Sequence, residues 1–234
     1  MDQALRNTLA GVATATLTTV MLKRGLRTTW LAGTKPYAAA ETRIVGPAFT
    51  MRYIPAREDL ATPAAWTSPT STRAAIEEMP AGCVCVIDAR GIDTAGVAGD
   101  ILVGRMRMRG VAGLVTDGVM RDSDGVKATG MPIWCAGTAA PAAIHAMAFV
   151  GWQEPIGCGG TAGFPGDIIV ADADGAVVVP QDIAEDVAKT AVEQEKLEAW
   201  IVGEIEKGRA LPGLYPPNEE TLARYHAETG NKDR

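Results

Sequence analysis

Three residues have types and spacing that could do chemistry together: Asp100, then Arg121 and Asp122, with Gly96 and Gly99 just ahead of the first acid. An arginine presents a planar fork of N–H donors that grips a carboxylate through two parallel bonds. The adjacent acid offers an oxygen ligand suited to Mg2+ or Mn2+, hard cations that accept one or two carboxylates and keep several waters. Where Gly96-Val97-Ala98-Gly99-Asp100 opens a helix, the backbone N–H groups of Ile101 and Leu102 are placed to receive an anionic oxygen, and the glycines let a ligand come close. The chemistry this points to is an anionic substrate beside a divalent cation. The same residues also suit an ordinary Arg-Asp turn with a solvated acid, and both readings stand at this point.

Such residues must be held by flanking elements. Cys83-Val84-Cys85-Val86-Ile87-Asp88 is a short apolar run ending in an acid, the pattern of a strand buried on both faces. A helix follows from Gly96–Asp100 to a glycine stop at Gly110, and a second buried strand spans Ala112–Thr116. Both polar clusters therefore lie beyond the carboxyl ends of the strands, where alternating α/β folds bind ligands. Asp122–Thr129 reads as a further short helix and Pro132–Cys135 as a short strand.

Upstream, the first 24 residues form one or two helices. Ile44–Ile54 reads as a strand in which Gly46 and Pro47 suggest a bulge or an edge position. Ala56–Trp66 is a loop, and Ser71 or Thr72 caps a helix reaching Met79. Downstream, Asp167–Ala171 and Ala176–Val179 flank Asp174-Gly175 as a hairpin. Asp182 then caps a helix running to about Gly208. Its apolar stripe, Ile183, Val187, Ala191, Ile201 and Ile205, encloses Glu198, while Glu185, Glu193, Glu195, Glu204 and Glu206 point away. A glutamate inside such a stripe is paired, at a subunit interface, part of a site, or snorkelling at the stripe's edge. Residues 1–210 make a single domain, and 211–234 a surface extension or an arm onto a neighbouring subunit.

Composition narrows the function classes. The 234 residues are 47% hydrophobic and 21% charged, enough for one self-sufficient core. A net charge of −6 supplies no basic face for a phosphate backbone, so no nucleic-acid partner is expected. Ala128–Gln153 has no charged side chain except His145, yet its prolines, glycines and alanines make it core rather than a membrane span. No signal peptide is visible, and a cytoplasmic location is expected.

Cys83, Cys85, Cys135 and Cys158 show neither a disulfide framework nor zinc spacing; they read as small buried hydrophobes, with Cys83 and Cys85 alternatively a reactive pair on one strand face. His145 reads as a structural residue of the alanine-rich segment and His226 lies in the polar tail, too far apart in sequence for a histidine metal site or a Ser-His-Asp triad. Gly157-Cys158-Gly159-Gly160-Thr161-Ala162 matches the letters of a dinucleotide loop but leads into a strand instead of opening a helix.

Asp100, twenty residues, then Arg121-Asp122, with Gly96 and Gly99 before the first acid, resembles the signature of the RraA-like class II pyruvate aldolases, typified by 4-hydroxy-4-methyl-2-oxoglutarate / 4-carboxy-4-hydroxy-2-oxoadipate aldolase. The resemblance continues through Gly159-Gly160, Pro165-Gly166-Asp167 and Ala171-Asp172-Ala173-Asp174-Gly175, covering roughly residues 10–205. It implies an α/β sandwich around a small β-barrel, assembled as a homotrimer or homohexamer with sites between subunits. It further implies that Asp122 coordinates Mg2+ or Mn2+, that Arg121 holds the pyruvyl group, and that Asp100 organises metal-bound and catalytic water. Gly99 and the amides of Ile101 and Leu102 would bind the carboxylate of a 2-oxo acid, and Glu198 of a neighbouring subunit would complete the metal's water shell. The same fold includes regulators that bind a ribonuclease; they commonly lack the acid after the arginine, which this chain keeps as Asp122. The distal half of the substrate is not implied, although Arg52, Arg57 and Arg90 are available to meet a second carboxylate.

Overall fold

The computed structural model describes residues 1–39 and 43–230. In chain order the elements are α1 (Gln3–Ala10), α2 (Thr14–Lys23), β1 (Lys35–Ala38), β2 (Ile44–Pro55), α3 (Thr72–Glu78), β3 (Val84–Asp88), α4 (Asp100–Met108), β4 (Gly113–Thr116), β5 (Val119–Met120), α5 (Ser123–Ala128), β6 (Ile133–Cys135), β7 (Gly137–Thr138), β8 (Met147–Trp152), β9 (Ile168–Asp172), β10 (Gly175–Val179), α6 (Ala184–Glu206) and α7 (Glu219–Thr229).

These elements build a mixed α/β domain around a curled, half-barrel sheet of order β1-β6-β4-β3-β2-β9-β10, with β8 added beside β2. β2, β3, β4 and β6 are parallel neighbours, and β9 and β10 join as an antiparallel hairpin. Residues 29–31 close the curl against β10: the amide of Leu31 donates to the Ala176 carbonyl at 2.9 Å and that of Val178 to Thr29 at 2.8 Å.

Strand alternation divides the core into three parts. Val84, Val86, Val115, Trp134, Ile169 and Val178 fill the inside of the curl. Cys83, Cys85, Ile87 and Leu114 face outward into a second cluster with α3, α4 and α5. Val170, Val177 and Val179 meet α1, α2 and α6 in the third. Cys83 and Cys85 thus share one strand face, yet both are buried free thiols; burial pushes Cys83 up to about 11 and Cys85 well above its ordinary value, so neither is a ready nucleophile.

Several expectations are corrected. β2 is a central strand, not an edge: Ile44–Pro47 pair with β9 and Ala48–Arg52 with β3, so Gly46-Pro47 marks where the strand changes partners. Pro47 is tolerated at that changeover, and the next amide, of Ala48, donates to the Asp167 carbonyl at 2.7 Å. The hairpin's connecting residues are Ala173 and Asp174, since Gly175 already pairs with Asp172. Asp182 does not cap α6; a short 3-10 turn over Gln181–Ile183 leads into it. His145 is exposed, and residues 136–146 are exposed or half-buried rather than core. Ile205 is 42% exposed, whereas Glu204, expected to point away, is 2% exposed.

Glu204 is buried because α7 folds back over the end of α6. Its carboxylate receives Lys207, Arg209 and Arg224. The Lys207 hydrogen bond chiefly, with the charges of all three bases, holds its pKa below the usual carboxylate value. Trp200 and Tyr225 pack edge to face across the same joint, their ring centroids 5.6 Å apart. No helix among the described residues is long and apolar enough to cross a membrane.

Candidate active site

The carboxyl end of β3 leads through residues 96–99 into α4, and the carboxyl end of β4 leads through β5 into Arg121 and Asp122. The two segments are laced together: the amide of Val97 donates to the Val119 carbonyl at 2.8 Å and that of Arg121 to Ala98 at 3.0 Å. This contact is possible because of glycine. A Cβ on Gly96 would sit 2.7 Å from the Arg121 Cβ, and one on Gly99 would sit 2.1 Å from Asp122 Oδ2. Likewise a Cβ on Gly125 would meet Asp100 Oδ2 at 2.5 Å. The spacing of glycines and acids is therefore one of reciprocal fit, each carboxylate lying where the other segment has no side chain.

Asp122 adopts the left-handed conformation at φ 53, ψ 48 just before α5. Aspartate is among the few side chains that enter this region at modest cost. The turn sets Asp122 Oδ2 3.2 Å from Arg121 Nε. The Nε itself is enclosed and makes no hydrogen bond, so the pair is a charge contact that leaves the N–H unspent. Asp100 turns back on its own helix, Oδ1 accepting from the Ile101 amide at 2.7 Å. The expected two-amide cradle is thus partly taken: Ile101 is engaged by Asp100, and at the same turn the amide of Leu102 lies where a helix supplies no acceptor.

All the expected site residues except Glu198 line one cleft of about 940 Å³. Glu198 sits on α6, half-buried and accepting a hydrogen bond from Gln194 at 2.7 Å, and does not line the cleft of its own chain. Arg52 and Arg90 line a separate, smaller pocket, and Arg57 is paired with Asp59. The cleft arginines that sequence reasoning missed are Arg73 and Arg105, whose placement depends on how α3 packs against α4. Tyr53, also lining the cleft, is buried, and burial raises its phenol far above the ordinary value, which keeps it neutral.

Among the described residues no group of three or more His, Cys, Asp or Glu could enclose a metal ion. The available donor set is two carboxylates, Asp100 and Asp122, in an open cleft with no backbone or side-chain cage. That suits a hard cation holding most of its water and does not suit zinc, whose protein sites take three or four ligands with histidine or cysteine among them.

The rest of the Asp117–Asp122 stretch does different work. Asp117, at the end of β4, accepts from the amides of Ala89, Gly91 and Gly159 at 2.8, 3.0 and 3.0 Å. Asp88, at the end of β3, accepts from Arg90 and Gly157, both at 3.0 Å. Burial, the largest influence, raises the Asp117 carboxyl above its ordinary value against the pull of its amide donors. The glycine run 157–160 is thereby a backbone clasp across the strand ends, not a nucleotide loop.

The chain as a whole is similar to known proteins. The family model described as RraA-like (Aldolase/RraA) matches residues 14–178. A protein of Halalkalibacterium halodurans named "Putative 4-hydroxy-4-methyl-2-oxoglutarate aldolase" is 38% identical over 153 residues, 65% of this chain and 67% of that protein. Protein DlpA of Legionella pneumophila is 28% identical over 169 residues, 72% of this chain and 26% of that protein. Among solved structures, RraAS2 of Streptomyces coelicolor, described as an unusual member of the RNase ES inhibitor RraA protein family, superposes with a TM-score of 0.77 at 34% identity, covering 86% of this chain and 96% of that one. An uncharacterised Pseudomonas syringae protein gives 0.77 at 29% identity, covering 92% and 98%.

Proposed function

The chain belongs to the RraA-like (Aldolase/RraA) family, and from that premise we propose that it is a class II, divalent-metal-dependent aldolase that cleaves a 4-hydroxy-2-oxo acid to pyruvate and a second carbonyl compound. The observation that carries the reading is Asp122 set against Gly99 beside an arginine whose buried Nε–H is unspent.

In this reading the Arg121 guanidinium and the Leu102 amide bind the carboxylate and keto oxygens of the pyruvyl half. Asp122, with Asp100 acting through water, would hold Mg2+ or Mn2+. When bound, the cation supplies Lewis-acid polarisation of the 2-oxo group. Asp100 and Arg121 orient the water that takes the proton from the 4-hydroxyl. The C4–O–H electrons become the new carbonyl, the C3–C4 bond breaks, and its electron pair passes to the pyruvyl half as an enolate. Protonation at C3 gives pyruvate. Oxaloacetate reaches the same enolate by losing CO2, so decarboxylation should accompany aldol cleavage.

The test is pyruvate release from 4-hydroxy-4-methyl-2-oxoglutarate and from oxaloacetate with Mg2+ or Mn2+, before and after EDTA. The expected outcome is turnover that EDTA abolishes and added metal restores. No metal-dependent pyruvate from either would overturn the aldolase reading and favour a regulator binding a ribonuclease, the role attached to the family of the Streptomyces relative.

Glu198 does not line the cleft of its own chain; in this reading it would serve a neighbouring subunit of a homotrimer or homohexamer. Mixed oligomers of Glu198→Ala and Arg121→Ala chains should then regain activity that each variant alone has lost. Absence of recovery would count against a shared site.

A further inference from the structure

Building on the aldolase reading, we propose that Arg73 determines the cleft's specificity and that the half of the substrate released as the second carbonyl compound is an apolar, ring-sized group bearing one carboxylate.

Two observations lead there. The first is the lining of the cleft, where Leu60, Trp66, Ile76, Ile144 and Phe149 supply a larger apolar surface than the interspersed Ser68, Thr70 and Thr72. A cleft of about 940 Å³ is far larger than pyruvate requires. The apolar members of that lining reward burial of apolar surface.

The second observation is the state of each charge in and around the cleft. Arg105 is gripped by Glu77 through two bonds of 2.8 and 2.7 Å. Asp59 at the rim is held by Arg57 in the same two-bond fashion, at 2.7 and 3.0 Å. Arg121 faces Asp122, and Asp100 accepts from its own helix. Arg73 alone among the cleft's charged side chains makes no ion pair or hydrogen bond among the described residues. Its guanidinium lies over the Trp66 ring, 5.4 Å from the centroid. A guanidinium held over a ring by its charge keeps its N–H groups available for a carboxylate. One unmatched cation beside an apolar wall selects one anion on an apolar body; a second distal carboxylate would find Arg105 already gripped by Glu77.

The test measures binding apart from turnover. Isothermal titration of 4-formylbenzoate and of benzaldehyde compares the same ring with and without the carboxylate. The wild-type protein should bind the carboxylated ring about tenfold or more tighter, the fold-change of one hydrogen-bonded charge pair. Arg73→Gln should reduce that preference to within about threefold. Arg73→Lys, which keeps the charge but not the planar fork, should retain part of it. Arg73 is exposed and makes no hydrogen bond among the described residues, so these variants cost the fold at most its contact with the Trp66 ring. Equal affinity of the wild type for the two rings, or a preference that survives Arg73→Gln, would overturn the proposal.

Turnover is read separately. Pyruvate release from 4-(4-carboxyphenyl)-4-hydroxy-2-oxobutanoate should exceed that from the unsubstituted phenyl compound by a similar ratio in kcat/KM, and Arg73→Gln should collapse the ratio. Arg73-dependent binding of 4-formylbenzoate with no pyruvate from any hydroxy-oxo acid would sink the aldolase reading and leave the assignment of Arg73 standing.

Discussion

The carboxyl ends of β3 and β4 each feed two acids into glycine-lined backbone, and the two pairs have opposite fates. Asp88 and Asp117 accept from five backbone amides between them and lie buried against the 157–160 clasp. Asp100 and Asp122, each further along the same connection, accept one backbone amide between them among the described residues, which belongs to the helix Asp100 itself opens, and stand in the cleft. Residue type and local composition are alike; what differs is how much acceptor capacity the fold has consumed. An acid whose oxygens are filled by buried amides is a strut. One whose oxygens face an open cleft has capacity left for a ligand, and the cost of leaving it so is borne by the rest of the core.

Two variants sharpen this contrast. Asp122→Asn should have the largest effect on activity, abolishing metal-dependent pyruvate release, a fall of about 1,000-fold or more if Lewis-acid and charge stabilisation are both lost. Stability should shift by no more than about 0.5 kcal/mol, since asparagine tolerates the left-handed conformation. A large loss of thermal stability would place Asp122 with the struts. Asp117→Ala should do the reverse. Three buried amides lose their acceptor, at about 1–3 kcal/mol for an orphaned buried group, so unfolding free energy should drop by at least about 2 kcal/mol in denaturant titration. Activity per folded molecule should change little; a selective loss of turnover at unchanged stability would merge the two regions.

Much of the fold was legible in the sequence because it rests on local signals. The apolar runs at 83–88 and 112–116, the glycine stop at Gly110 and the hairpin around residues 172–175 are short-range patterns, and each yields the element observed. The failures are tertiary. Pro47 suggested an edge, but a strand that swaps partners in mid-course accommodates proline at the changeover, and nothing within β2 announces the swap. On α6 the helical wheel singled out Glu198 over Glu204, because burial of Glu204 is imposed by the returning α7 and its Arg224. At the site, the triplet Asp100, Arg121 and Asp122 was visible from type and spacing. Arg73 and Arg105 were not, since their place in the cleft depends on the packing of α3 beside α4. Arg52, Arg57 and Arg90 looked equally suitable in sequence and lie elsewhere or are already paired.

The left-handed backbone at Asp122 also bears on how such a fold diverges. Three residue types occupy that conformation cheaply, aspartate, asparagine and glycine, and the last two are each one nucleotide substitution from aspartate. A lineage can therefore discard the carboxylate in a single step without disturbing the turn into α5. On the proposed role of Asp122, catalysis and foldability would be uncoupled at this position, and a scaffold freed from chemistry would stay intact and available for selection on its surface, which would make enzymes and binding proteins natural neighbours on one architecture.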